Sequence, residues 1–226
     1  MFKDGSSSVS ARLHEHGSAA WAAATGHPMV KEIAAGTLPH QHFRHYFEQN
    51  IAYLEDYARA IAAIAAKAPD AEALEVLGRI LAQIITVELP ANRRFLERLG
   101  GDPGGVRGVA TMEPTTYAYT RHLLATAALG DCAAGLTAVL PCQWSYGEIG
   151  ADIAGAKPDD PIYADWVEVF GNPDYAELVD VTTSLLDRLA DPDPASFSRL
   201  QVVFDASTRY EVEFWDMAYG PPPASF

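Results

Sequence analysis

Leu140-Pro141-Cys142-Gln143-Trp144-Ser145-Tyr146-Gly147-Glu148-Ile149-Gly150 is the stretch whose reading decides the fold. The alanine- and leucine-rich run before it (133–140) reads as the first half of a buried helix. Pro141 lacks the backbone donor that would reach the carbonyl of Thr137, so the spacing predicts a bend beside the cysteine. Beyond it, Cys142, Ser145, Tyr146 and Ile149 fall at i, i+3, i+4 and i+7 on one face. A thiol, a hydroxyl and a phenol are therefore expected to project together. On spacing alone Cys142 reads as an inert core thiol, since free cysteine is among the most buried residue types.

Working outward, the rest of the chain is helical. Residues 11–24 read as a first helix broken by Gly26-His27-Pro28, with a short helix following to Gly36. His27 is expected to dock in the core or cap a turn. A long helix is predicted over 39–67, with Pro39 where a missing donor matters little. Its Tyr46, Asn50, Tyr53 and Tyr57 lie at i, i+4, i+7 and i+11, and form a second candidate wall. An amide within an aromatic stripe needs hydrogen-bonding partners. His40, His42 and His45 sit near its start with no cysteine or carboxylate cluster at ligand spacing, so no metal site is read there.

The next helix is predicted from Asp70 to Leu99 with a kink at Pro90. Glu88 and Asn92 are one turn apart in it, and Asn92 stands where a metal-binding histidine would serve. No Glu-x-x-His occurs, and all 7 histidines lie at or before His122. Neither a di-iron centre nor a histidine-ligated haem is expected. Residues 100–113 read as a loop with no phosphate-binding motif. Further helices are predicted from Pro114, from the residues after Asp131, and over 163–170, 174–190 and 195–219. In the short one Ile162, Trp166 and Phe170 are expected to point inward. No strand is predicted.

The composition narrows the function. At 226 residues with 49% hydrophobic content, one domain is expected over residues 11–226, after a disordered stretch over 1–10. The net charge of −14 and the lack of a basic recognition helix argue against nucleic-acid binding. Cys132 and Cys142, ten residues apart along helices, are poorly placed for a disulfide. No signal peptide or membrane span is read, and a cytoplasmic location is expected.

Cys142 and Tyr146 within Leu-Pro-Cys-x-Trp-x-Tyr-x-Glu-Ile-Gly resemble the active-site helix of the TenA family, the thiaminase II or aminopyrimidine aminohydrolase proteins. The resemblance runs from about Trp21 to Tyr219. It is carried also by His27-Pro28 with Gly36-Thr37-Leu38-Pro39, by Gln49-Asn50-x-x-Tyr53-Leu54, by Pro114-Thr115-Thr116-x-Ala118-Tyr119-Thr120, and by Tyr210-Glu211-x-x-Phe214-Trp215-x-Met217. It implies a haem-oxygenase-like all-α bundle, commonly a homotetramer, that uses no cofactor or metal and acts on a small pyrimidine.

Carried over by the resemblance, Cys142 is the nucleophile and Glu211 the carboxylate that addresses the pyrimidine ring, with Glu213 as the alternative acid. Tyr53, Tyr119 and Tyr146 contact the ring or the departing group. A thiolate that adds to the ring breaks its aromaticity and lets the group on the methylene carbon leave. Two positions depart from the family pattern. Asn50 stands where the family usually has an aspartate that binds the exocyclic amine, and Phe170 where it commonly has tyrosine. The amide of Asn50 brings a donor. A buried, unpaired donor is costly, so poor turnover of thiamin itself and a preference for a ligand presenting an acceptor to Asn50 are expected. Asn50→Asp with Phe170→Tyr is expected to raise activity on aminopyrimidines. The competing reading is a non-catalytic binder of a pyrimidine or another flat heterocycle.

Overall fold

A computed structural model describes residues 8–220, apart from the side chain of Asp174. Among these residues there are eleven α-helices and no strand. The helices are α1 (Val9–His16), α2 (Ser18–Thr25), α3 (Pro28–Ala35), α4 (His40–Ala65), α5 (Ala71–Gln83), α6 (Leu89–Arg98), α7 (Pro114–Leu129), α8 (Cys132–Ile153), α9 (Pro161–Phe170), α10 (Pro173–Leu189) and α11 (Pro194–Tyr219). Most boundaries follow local chemistry. Asp70, Asp131, Asp160 and Asp193 each accept a backbone N–H in the first turn of the helix they precede. Gly36 ends α3 with φ 71°, a left-handed conformation that glycine adopts without strain.

Four departures from the sequence expectations have visible causes. The first helix starts at Val9, which is buried, with Ser8 as its cap; of the expected disordered stretch, residues 1–7 lie outside the described residues. That helix is also broken at Gly17, where a Cβ would come within 3.3 Å of the Phe204 ring. The predicted 70–99 helix contains a π-helical turn at Ile84–Glu88, ahead of Pro90 rather than at it. The 100–113 loop contains two short 3-10 turns.

The core is centred on α4, α8 and α11. Tyr46, Tyr53, Leu136, Leu140, Phe204 and Trp215 are buried within it. α8 runs unbroken past Pro141. Carbonyls on that side find partners on other helices: Ser207 Oγ donates to Ala138 O at 2.7 Å, and Tyr57 Oη to Val139 O at 3.1 Å. Those bonds tie α8 to α11 and α4 beside the proline. Lower down, a Cβ on Gly150 would overlap the carbonyl oxygen of Phe170. Glycine there lets the end of α9 lie against α8 and brings Phe170 next to Tyr146, ring centroids 5.0 Å apart.

Several motif residues serve this frame. Glu148 accepts from Trp21 Nε1 at 2.6 Å and lies 3.0 Å from His14 Nε2, which ties α8 to α1 and α2. Gln49 Oε1 accepts from Glu113 N and Thr116 Oγ1, and Gln49 Nε2 donates to Thr111 O, so one amide pins the start of α7. His27 both caps α3, accepting from Met29 N at Nδ1, and packs in the core. His40 pairs with Asp160 at 2.7 Å and His45 with Glu113 at 2.8 Å, so both are tertiary contacts. No helix among the described residues is long and apolar enough to cross a membrane.

Candidate active site

Four helices bring the predicted residues together. α4 supplies Asn50 and Tyr53, α7 Tyr119, α8 Cys142 and Tyr146, and α11 Glu211. All six, with Phe214, line one small recess of ≈ 10 Å³, room for about a single water. Asn50, Cys142 and Tyr146 also line a much larger cavity of ≈ 630 Å³. The cysteine therefore stands in the common wall of an inner recess and an outer cavity. Phe170 lies in the outer cavity only.

Glu211 is 4% exposed and accepts a hydrogen bond from Tyr119 Oη. Burial pushes its carboxyl up to about 7, against which the Tyr119 bond acts only in part. Glu213 is exposed, so of the two candidates Glu211 faces the recess. Burial likewise holds the Cys142 thiol above its ordinary value, and the nearby Glu211 carboxylate adds to this. At rest the sulfur is a protonated thiol. The Tyr53 hydroxyl approaches both Cys142 and Tyr119 but completes no hydrogen bond to either, so a buried donor is left over. Such a group is costly unless a ligand or a proton transfer uses it.

The aromatic walls are continuous. Tyr46 Oη and Tyr146 Oη are 2.7 Å apart, and both rings stack on Trp215 with centroids at 5.3 and 5.4 Å. Tyr53 packs on Tyr119 at 5.0 Å, and Tyr119 on Tyr210 at 5.1 Å. These contacts hold the phenols without fixing where each hydroxyl proton resides. Ser145 does not join the site. It is fully buried and its hydroxyl turns back to Cys142 O at 3.3 Å. Tyr57 is likewise spent on the α8 backbone.

Three residues of the outer cavity were not singled out for this site by the sequence. Glu88, the last residue of the π-helical turn, lines it with no ion pair or side-chain hydrogen bond among the described residues. Burial raises its carboxyl to about 7. Tyr175 of α10 places a phenol beside Phe170, ring centroids 5.5 Å apart, so the hydroxyl absent from Phe170 has a neighbouring source. Asn92 accepts from Asn50 Nδ2 at 2.8 Å. The Asn50 amide is thus already engaged, which corrects the expectation of an unpaired donor there. Nothing local in the sequence signals the pairing, because the two asparagines are on different helices.

Both cysteines are free, and Cys132 lies at the start of α8, almost three turns before Cys142. Among the described residues no group of three or more His, Cys, Asp or Glu side chains is arranged to hold a metal ion.

Residues 14–220 match the sequence profile of the TENA/THI-4/PQQC family. The chain belongs to this family. It is 34% identical over 217 residues to the aminopyrimidine aminohydrolase of Halalkalibacterium halodurans, covering 94% of this chain and 96% of that protein. Among solved structures it superposes on the TenA homologue of P. horikoshii with a TM-score of 0.84 at 29% identity, over 94% of this chain and 99% of the other. A Shewanella denitrificans domain described as having a heme oxygenase-like fold gives a TM-score of 0.72 at 13% identity, covering 92% and 91% of the two chains. The all-α, haem-oxygenase-like TenA fold expected from the sequence is thereby established. The family match and the relatives at this identity place the chain among hydrolases of thiamin metabolism.

Proposed function

We propose that the protein is an aminopyrimidine aminohydrolase of the thiaminase II type, cleaving a carbon–nitrogen bond at the methylene carbon of an aminopyrimidine. The observation that carries this reading is the convergence of the Cys142 thiol and the Glu211 carboxyl on one recess walled by Tyr53, Tyr119 and Tyr146. A flat ring entering from the outer cavity lies against Cys142, with one edge directed into the recess. Buried aromatic walls hold it and exclude water.

The sulfur forms a bond to a ring carbon as the Glu211 carboxyl gives its proton to a ring nitrogen. The thiol's own proton returns to Glu211 by way of the Tyr53 and Tyr119 hydroxyls. With aromaticity broken, the amine leaves the methylene carbon carrying its electron pair. It takes the proton back from Glu211, and an exocyclic methylene remains. Water adds to that carbon and gives a proton to Glu211. The ring then expels the sulfur, which takes up the proton released by the ring nitrogen, so that carboxyl and thiol are both restored. The products are a hydroxymethyl pyrimidine and the free amine. A carboxyl near neutrality suits a group that must both give and take a proton at neutral pH.

The same reading extends to the whole chain. One domain over residues 11–226 works in the cytoplasm as a homotetramer with no cofactor. Light scattering at micromolar concentration tests the tetramer, a monomer contradicting it. A non-catalytic binder on this fold gains no support from the recess, where thiol and acid are both in place. The deciding experiment incubates the protein with thiamin and with an aminomethyl-aminopyrimidine and follows the hydroxymethyl product. Its appearance from the second compound is expected; absence of product from both overturns the hydrolase reading.

A further inference from the structure

Asn50 lines both the recess and the outer cavity, and the direction in which its amide faces decides what it can recognise. Distances alone do not distinguish an amide's oxygen from its nitrogen, but a chain of partners can. Here the chain ends on a group with only one possible role. Asn92 lies 2.9 Å from the backbone carbonyl of Glu88, which can only accept, so Asn92 turns its NH2 that way. Its Oδ1 is then the atom that faces Asn50, at 2.8 Å, and Asn50 must offer its own NH2. The Asn50 Oδ1 is left without a protein partner among the described residues, beside the cysteine.

We propose that Asn92 is a positioning residue for ligand selection: it holds the carboxamide oxygen of Asn50 toward the junction of cavity and recess, and so favours a heterocycle that presents an amine there over one that presents a carbonyl. The inference rests on the site reading above, in which the ring lies at that junction. It also explains how a neutral residue serves where the family usually carries a carboxylate. An acceptor is still offered, and its direction is set from α6 instead of by charge. An aspartate at position 50 would face Asn92 Oδ1 with a second acceptor. Relieving that contact requires Asn92 to flip and set its oxygen against the Glu88 carbonyl. Asn50→Asp alone is therefore expected to weaken the site, which reverses the expectation drawn from the sequence.

The test is calorimetric binding of two pyrimidines, identical except that a carbonyl replaces the exocyclic amine in one. Binding is read without turnover, so a failure of catalysis does not obscure it. Wild type is expected to bind the amine about tenfold more tightly than its oxo counterpart, the size of one hydrogen bond gained rather than lost. Asn92→Leu should reduce that preference to about threefold or less, and Asn92→Ala serves if the leucine variant does not fold. Asn92→Asp keeps an acceptor facing Asn50 and should retain most of the preference, whereas a purely space-filling role would predict that the similarly sized Asn92→Leu retains it as well. A wild-type preference for the oxo compound, or an unchanged ratio in both Asn92→Leu and Asn92→Ala, overturns the proposal. Loss of selection in Asn92→Asp equal to that in Asn92→Leu also overturns it. If wild type binds neither compound, the aminopyrimidine reading fails first and this inference falls with it.

Discussion

The inner recess and the outer cavity each hold a buried carboxyl raised to about 7, yet their surroundings are different. Glu211 is hydrogen-bonded to Tyr119 and shares a narrow space with Cys142. Glu88 has no ion pair or side-chain hydrogen bond among the described residues and lines a cavity of ≈ 630 Å³ that also carries Arg79, Arg94 and Glu177. The same desolvation moves both groups, so a perturbed acidity by itself does not single out a catalytic residue. On the proposed reading, what separates them is the partner that orients the group and the nucleophile placed against it: the recess acts on a ring edge and the cavity admits what is attached to it.

The comparison can be broken most decisively at the cysteines. Cys142→Ala should lower kcat/KM by about a thousandfold or more, because no other thiol lines the recess. Cys132→Ala should leave the rate within about twofold, with circular dichroism confirming that both variants fold. Equal loss in the two would remove the recess from the mechanism.

Next come the two acids. Glu211→Gln should cost roughly 10²–10⁴-fold in kcat/KM, the range of a lost general acid–base group. Glu88→Gln should cost less than about tenfold, since it contributes field and solvation rather than proton transfer. A larger loss at Glu88 would move the chemistry into the cavity. The pH profile sharpens this. Protonated Glu211 starts the reaction, so wild-type activity should decline as pH rises through about 7, and Glu211→Gln should lack that limb.

The same carboxyl makes a stability prediction. Its pKa is raised in the folded state, from 4.5 to about 7, so the folded chain keeps a proton that the unfolded chain has already released. The penalty is absent below about 4.5, grows as pH rises, and is complete above about 7, at roughly 3 kcal/mol. Urea unfolding should therefore show the difference in stability between Glu211→Gln and wild type growing, in favour of the variant, between pH 5 and about 8. No pH-dependent difference, or a difference of opposite sign, would mean that Glu211 is not held neutral by burial.

A smaller effect is expected where α9 meets α8. Gly150→Ala should destabilise the fold by about 1–3 kcal/mol, as overpacking against rigid backbone does. It should also lower kcat/KM by displacing Phe170 from Tyr146. Retention of wild-type stability would show that α9 sets its position independently of α8.

Much of the fold was legible because its signals are local. The long α4 and α11 are framed by prolines, and the Asp-x-x caps mark helix starts without any tertiary information. The site was legible where side chains share one helix face, as in Cys142 with Tyr146 and Asn50 with Tyr53, or where a motif neighbour decided, as Tyr210 did for Glu211. It failed where an alternative partner was closer at hand. Ser145 shares the cysteine's face, yet its hydroxyl finds the carbonyl one turn back. The first helix breaks at Gly17, and Phe204 from α11 lies against the position a side chain would take there. Asn92 and Tyr175 become part of the site only after distant helices pack, and no periodicity within α6 or α10 reports that.

The central claim is that Cys142 and Glu211 act as one unit on one ring. A double-mutant cycle of Cys142→Ala and Glu211→Gln tests it most directly, with single-turnover rates on an aminomethyl-aminopyrimidine measured at excess protein. Residues that serve the same step are strongly non-additive. The double variant should be no more than about threefold slower than the slower single variant. A double-variant loss equal to the product of the two single losses would contradict the account.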